Sequence, residues 1–204
     1  MFLSDEPLAD LDPRRAAILG AAFATFCRYG FRRTAMEDIA RAADLSRAAL
    51  YLHFANKQDI YRSLIRHYFT VTEARARAAL RPGMDPEAAL LAFFTAKAGP
   101  ELEAMFASPH GEELLDANVA TSADIVHEGE GRIADILAGW LRTEQAAGRI
   151  KLPDSAETVA ATLVAALAGL KSPAAGIAAY RAGAARLAAL IGRGLRAGLG
   201  SPGS

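Results

Sequence analysis

The stretch Met36-Glu-Asp-Ile-Ala-Arg-Ala-Ala-Asp-Leu-Ser-Arg-Ala-Ala-Leu-Tyr-Leu-His-Phe-Ala-Asn-Lys-Gln-Asp-Ile-Tyr61 reads as helix almost throughout, yet it breaks at Asp44-Leu45-Ser46. The second piece carries Arg47, Tyr51, His53 and Lys57 within eleven residues. A helix built only to pack needs neither the break nor that set of polar tips. The break has its own start signal. Ser46 is a good N-cap, and Leu45 at N′ with Leu50 at N4 has the spacing of a hydrophobic staple. Thr34-Ala35-Met36-Glu37 is an S/T-x-x-E capping box that starts the preceding helix, which is expected to end near Ala43. Two short helices therefore meet at a three-residue corner.

Outward from the corner the pattern stays helical. Pro13 stands at or just before the first turn of a helix running to about Tyr29, whose buried stripe is Ile18, Leu19, Ala22, Phe23 and Phe26. Gly30 follows as a C′ stop, with Arg28 in the last turn. A fourth helix is expected from near Asn56 to about Arg81, ended by Arg81-Pro82-Gly83, where the domain boundary is placed. Further breaks are read at Gly99-Pro100, Ser108-Pro109, Gly129 to Gly131, Gly148 to Pro153 and Ser172-Pro173. Pro153-Asp154-Ser155-Ala156-Glu157 is another helix start. Two long Ala/Leu helices are expected at 155–170 and 174–199, before a tail at 200–204 read as disordered.

Composition agrees with an all-α protein: 52% of the 204 residues are hydrophobic, alanine dominates and β-branched runs are few. The single cysteine, Cys27, excludes an intramolecular disulfide, and its apolar helical setting reads as a small buried thiol. No amino-terminal apolar segment and no membrane-length apolar run is present, so a cytoplasmic protein without a membrane partner is expected. Formal net charge is zero, but it is unevenly spread. Residues 14–81 hold 13 Lys/Arg against 5 Asp/Glu, while residues 82–204 hold 10 against 14 and the arm at 1–13 adds four acids. A basic binding domain on a more acidic body has this pattern.

A corner of two short helices behind a longer supporting helix is a helix-turn-helix candidate. Arg47, Ala48 and Ala49 open the second helix of the corner, where base contacts in this motif concentrate. Tyr51 and His53 can donate to phosphate oxygens. Lys57 lies in the first turn of the next helix, whose amides can also bind phosphate. Thr34 plays the matching part at the start of the earlier helix, with Arg32 and Arg33 just before it. The plainer alternative makes Tyr51 and Phe54 core aromatics and the arginines a solvated face. The conjunction of corner, cap, local charge and the aromatic–His–aromatic–Lys order favours DNA.

Residues 14–62 resemble the DNA-binding domain of the TetR family of transcriptional regulators, over about a quarter of the chain. The resemblance is carried by Gly30, Thr34, Ile39-Ala40, Ala43, Leu45-Ser46, Leu50-Tyr51, His53-Phe54, Asn56-Lys57 and Ile60. Two positions depart: Asp44 stands where the family usually has glycine in the corner, and Ala48 where glycine is frequent. Aspartate tolerates the left-handed conformation, so the turn should survive. Ala48 changes how closely the backbone can near the bases, so no target sequence is carried over.

The resemblance implies a three-helix head, residues 14–81 with the connecting fourth helix. It also implies a larger helical bundle, 82–199, that binds a small effector and dimerises. A homodimer acting as a ligand-responsive repressor on a palindromic operator is the function implied, with no cofactor and no metal. The small-residue-rich helices at 155–170 and 174–199 either close the monomer's own core or form the dimer face; the dimer is expected, since a two-fold reader needs its recognition helices ~34 Å apart. For the effector pocket, Phe93, Phe94, Lys97, Met105, Phe106, Asn118, Ser122, His127 and Trp140 offer apolar lining with a few polar groups. An enzyme is the first rival. His110, Glu113, Asp116, Asp124, His127 and Glu130 invite a metal-bundle reading, but only Asp124-Ile-Val-His127 approaches the required spacing. A ligand-blind architectural protein, or a helical interaction protein that never meets DNA, are the others.

Overall fold

The computed structural model describes residues 12–196; within its helices the side chains of residues 117–119 and Pro173 lie outside that description. The expected tail at 200–204 and most of the acidic arm lie outside it too. Nine α-helices carry the described residues: α1 Pro13–Tyr29, α2 Met36–Ala42, α3 Arg47–Tyr51, α4 Lys57–Ala79, α5 Pro86–Ala98, α6 Pro100–Ala107, α7 Gly111–Ala146, α8 Ala156–Gly169 and α9 Gly176–Leu195. A 3-10 turn, Pro173–Ala175, precedes α9, and the only extended pairing among these residues is an isolated bridge between Ile150 and Arg196. The fold is all-α.

The chain forms two compact units, and the division is not a single cut. Among the described residues, the first comprises 12–71 with Ala98–Gly129 and Ser172–Ile177; the second comprises Thr72–Lys97, Glu130–Lys171 and 178–196.

In the first unit α1 is capped by Asp12, whose carboxylate accepts from the Arg14 amide at 3.2 Å, and ends at Gly30 with φ 82°. Its apolar stripe buries Ile18, Leu19, Ala22, Phe23 and Phe26. Phe26, Phe31 and Tyr61 form an aromatic cluster with centroids 5.0 to 5.6 Å apart. Leu50, Ile39, Phe54 and Ile60 complete this small core.

The second unit has its own core, with Leu90, Phe93 and Phe94 from α5, Leu137 and Leu141 from α7, Leu167 from α8 and Tyr180 from α9. Glu144 is fully buried there and is matched on every side. Arg149 donates to it at 2.5 and 3.0 Å, and the Gly83 amide at 3.0 Å. Gly192 lets α9 approach the start of α5 closely, since a Cβ there would press on the Glu87 backbone.

Two expectations are corrected. The Thr34–Glu37 capping box does not form. Ala35 is the N-cap of α2, Asp38 reaches back to the Ala35 amide at 3.0 Å, and the Thr34 hydroxyl turns onto the Gly30 carbonyl at 2.6 Å. Thr34 is buried, so its hydroxyl bonds inside the loop, to the Gly30 carbonyl that its own amide also reaches at 3.3 Å, instead of capping outward. Gly129 to Gly131 do not break the chain either: α7 runs through them, and its non-helical residue is Ser122 at φ −142°. Gly129 is there for space, because a Cβ would overlap the Phe69 ring.

Candidate nucleic-acid interface

The corner between α2 and α3 is a left-handed helix stop. Asp44 takes φ 54°, the one non-glycine positive φ among the described residues. The Leu45 amide donates to the Ala40 carbonyl at 2.9 Å and the Asp44 amide to Arg41 at 3.3 Å, the two bonds of a Schellman turn. Asp44 thus adopts the conformation that the turn requires. On the far side, the Ser46 hydroxyl accepts from the Ala49 amide at 3.1 Å and starts α3. With Leu50 wholly buried as the anchor, α3 is held by its inner side and offers its outer side to solvent.

That outer side carries Ser46, Arg47, Ala48, Tyr51 and Leu52, all exposed. Arg47 pairs with Glu37 of α2 and lies 5.6 Å over the Tyr51 ring, and a hydrogen bond with the Tyr51 hydroxyl, then Glu37, raises its guanidinium above its ordinary value. The pair is surface-exposed, so water competes for it and Arg47 can exchange Glu37 for another acceptor at little cost. Ala48 leaves room for close approach, and Ala49 is half-buried beneath it. Leu52, 86% exposed, escaped the sequence reading. Its signal was the Leu50-Tyr51-Leu52 triplet, in which one helix face cannot bury both leucines.

The remaining predicted residues sit around this surface. Arg33 is exposed in the α1–α2 loop, whereas Thr34 is buried with its hydroxyl on Gly30. His53 is half-buried; its carbonyl accepts from Arg15, whose guanidinium lies 4.3 Å over the Phe54 ring. Lys57 departs most from expectation. Its ammonium donates to the carbonyls of Phe31, Arg32 and Thr34 at 2.9, 2.9 and 3.0 Å, and lies 4.9 Å over the Phe31 ring. All three N–H groups are engaged, so Lys57 here clamps the loop and presents no free donor to a phosphate. Asn56, another residue the sequence left without a stated role at the interface, caps α4 through the Asp59 amide at 2.8 Å.

The expected effector residues fall in different units. Phe93, Phe94, Lys97 and Trp140 are buried in the second, where the Trp140 indole donates to the Arg81 carbonyl at 3.0 Å. Lys97 is fully buried against Glu130 at 2.6 Å, with Lys171 3.7 Å from the same carboxylate. Burial, and then Lys171, pulls Lys97 down to about 8 against the opposing pull of Glu130. Met105, Phe106, Ser122 and His127 belong to the first unit; Phe106 and Ser122 are buried, Met105 is half-buried and His127 is exposed. The Asn118 side chain lies outside the described residues. Burial pushes the Cys27 thiol up to about 11, which leaves it protonated and unreactive. Among the described residues no cluster of three or more His, Cys, Asp or Glu could hold a metal ion, and no helix is long and apolar enough to cross a membrane.

Residues 18–64 match the family model of bacterial regulatory proteins, tetR family. The chain is similar to the HTH-type transcriptional regulator RutR of Escherichia coli, with 26% identity over 138 residues, 64% of this chain and 63% of RutR. It is also similar to the HTH-type transcriptional repressor KstR2 of Mycobacterium tuberculosis, 32% identical over 92 residues, 45% of this chain and 46% of that protein. The match thus spans under two thirds of the length of either relative. Among solved structures, a transcriptional regulator from Cytophaga hutchinsonii superposes with a TM-score of 0.74 at 19% identity, covering 91% of this chain and all of the other. At that identity the likeness speaks for the fold.

Proposed function

This chain is a TetR-family regulator in its amino-terminal region, and from that premise we propose that it is a sequence-specific DNA-binding repressor that acts as a homodimer on a palindromic operator. The observation that carries the proposal is the outer side of α3, where Arg47, Ala48, Tyr51 and Leu52 face solvent while Leu50 anchors the helix. Arg47 can donate two parallel bonds to guanine, and Leu52 offers an apolar face to a thymine methyl. Tyr51, Ser46, Ala49 and His53 lie on or beside that surface, and Arg33 and Thr34 belong to the loop that flanks it. Lys57 contributes by holding that loop.

We assign 14–81 as the DNA-binding domain and 82–199 as the ligand-binding and dimerisation domain, with the dimer formed through 155–170 and 174–199. Of the effector residues named above, we propose Phe93, Phe94, Lys97 and Trp140, the set buried within the second unit. An effector must bind the two states of the dimer with different affinity, since equal binding shifts nothing. The protein is then a cytoplasmic regulator with DNA, an effector and a second copy of itself as partners. Repression is the direction suggested by KstR2, whose name states it.

The test is selection of sheared genomic DNA on the purified protein at moderate salt, with Arg47→Ala/Tyr51→Ala as control. Both residues are exposed, so their loss leaves the head folded. A palindromic site recovered by the wild type alone supports the reading. Equal recovery by the control, or none by either, sinks it in favour of a helical interaction protein.

A further inference from the structure

Arg32 has its backbone held from two directions. Its carbonyl accepts from Lys57 at the start of α4, and its amide donates to Glu113 Oε1, in the first turn of α7, at 2.6 Å. The acceptor is a carboxylate, so the bond is charge-assisted. The His110 imidazole is the other neighbour of this carboxylate, but at 3.6 Å it is beyond hydrogen-bond reach. The backbone amide, and not the histidine, is therefore Glu113's principal partner.

The neighbourhood is shaped around this contact. Gly30 takes φ 82°, and a Cβ there would overlap Glu113 Oε2 and come within 3.1 Å of His110 Nδ1. Glycine at 30 is thus needed twice, for its dihedral and for the space the carboxylate fills. Further bonds tie the same stretch of the unit together. The Ser108 hydroxyl donates to the Cys27 carbonyl at 2.7 Å and accepts from the His110 amide at 3.0 Å. The Tyr61 hydroxyl, buried, donates to the Leu114 carbonyl at 2.6 Å. Arg62 holds the Thr121 carbonyl at 2.7 Å and Asp124 at 2.6 and 2.8 Å. The first turns of α7 are therefore fixed to α1 and α4, and Glu113 alone of these side chains reaches the loop that bears Arg32, Arg33 and Thr34.

We infer that Glu113 is a positioning residue for DNA binding: its carboxylate, by holding the Arg32 amide, sets the α1–α2 loop in the conformation that the operator backbone meets. The inference rests on the DNA-binding reading above and extends it to a residue far outside the helix-turn-helix in sequence. The affinity of the head for DNA then depends on where the first turn of α7 stands. Any event that withdraws that turn releases Arg32 while Lys57 still grips its carbonyl.

Glu113→Ala, Glu113→Asp and Glu113→Gln test this on the full chain. Aspartate keeps the charge but falls short by one methylene; glutamine keeps the length and one carbonyl acceptor. Operator affinity, on the duplex recovered by genomic selection, is expected to fall about tenfold for alanine and for aspartate, as loss of one charge-assisted bond predicts, and to be restored in part by glutamine, which keeps a neutral bond to the Arg32 amide. Hydrogen exchange of the Arg32 amide should rise in step, more in alanine and aspartate than in glutamine. Affinity and exchange unchanged in both alanine and aspartate would overturn the inference. So would a glutamine variant as weak as alanine, which would place the effect in charge alone. If alanine fails to fold, aspartate against glutamine carries the same comparison. A wild type with no affinity for DNA would overturn the functional reading and with it the positioning role, whereas the exchange data decide separately whether Glu113 orders the loop.

Discussion

The Lys57 ammonium and the Arg32 carbonyl lie 2.9 Å apart, across 25 residues of sequence. With the carbonyls of Phe31 and Thr34, this bond closes the α1–α2 loop onto the first turn of α4. Lys57 therefore holds the α1–α2 loop in place.

Lys57→Ala should consequently destabilise the head as well as weaken DNA binding. Loss of hydrogen bonds from a charged, half-buried donor costs about 2 kcal/mol. Urea unfolding of the free protein would register this as a lower midpoint with an unchanged slope. If stability held and only the salt dependence of DNA binding flattened, Lys57 would be a phosphate contact after all.

Arg47→Ala should do the reverse. Its ion pair with Glu37 is exposed on both sides and screened by water, so the unfolding midpoint is expected to stay where it is in the wild type. DNA affinity should drop and base preference at one position of each half-site should relax, a change worth about 1–3 kcal/mol of discrimination. Competition binding with single-base operator variants measures it, and an unchanged preference profile would rule out a base contact.

Gly129→Ala should destabilise, against the usual sign. In an exposed helix interior the change gains up to ~1 kcal/mol. Here the added methyl meets the Phe69 ring, and overpacking costs about 1–3 kcal/mol. Thermal unfolding of Gly129→Ala alone and with Phe69→Leu would separate the two, since a smaller partner should recover part of the loss.

Lys97 predicts a pH dependence. Buried against Glu130 and Lys171, it titrates at about 8 when folded and near 10.5 when unfolded. Between those values the unfolded chain binds the proton and the folded chain does not, so stability rises with pH across that window. The penalty for burying the charged amine is fully present below it. Denaturation midpoints from pH 7.5 to 10.5 should rise in the wild type more than in Lys97→Met. Parallel profiles for the two proteins would show that Lys97 holds its proton as an ordinary lysine does.

Local signals were the readable ones. Gly30, Asp44-Leu45-Ser46, Gly99-Pro100 and Gly148 to Pro153 act on the backbone within a few residues, through dihedral preference, missing amides and capping oxygens, and each marks a helix end in the structure. Gly129 marks no such end, since a glycine kept for space looks in one dimension like a glycine kept for a turn. Thr34 misled in the same way: its cap pattern was local, but burial decided what its hydroxyl bonded.

The amphipathic periods, the corner with its staple and the concentration of basic residues before position 82 by themselves determined an all-α protein with a helix-turn-helix head. These are properties of spacing and of each residue's own chemistry, which no distant partner can alter. The tertiary structure alone decided that Lys57 faces carbonyls, that Arg47 rests on Glu37 and Tyr51, and that Glu113 closes on Arg32. Those contacts join residues up to 81 positions apart, and a side chain's partner is set by which helices pack together, a choice made by the summed burial of the whole core.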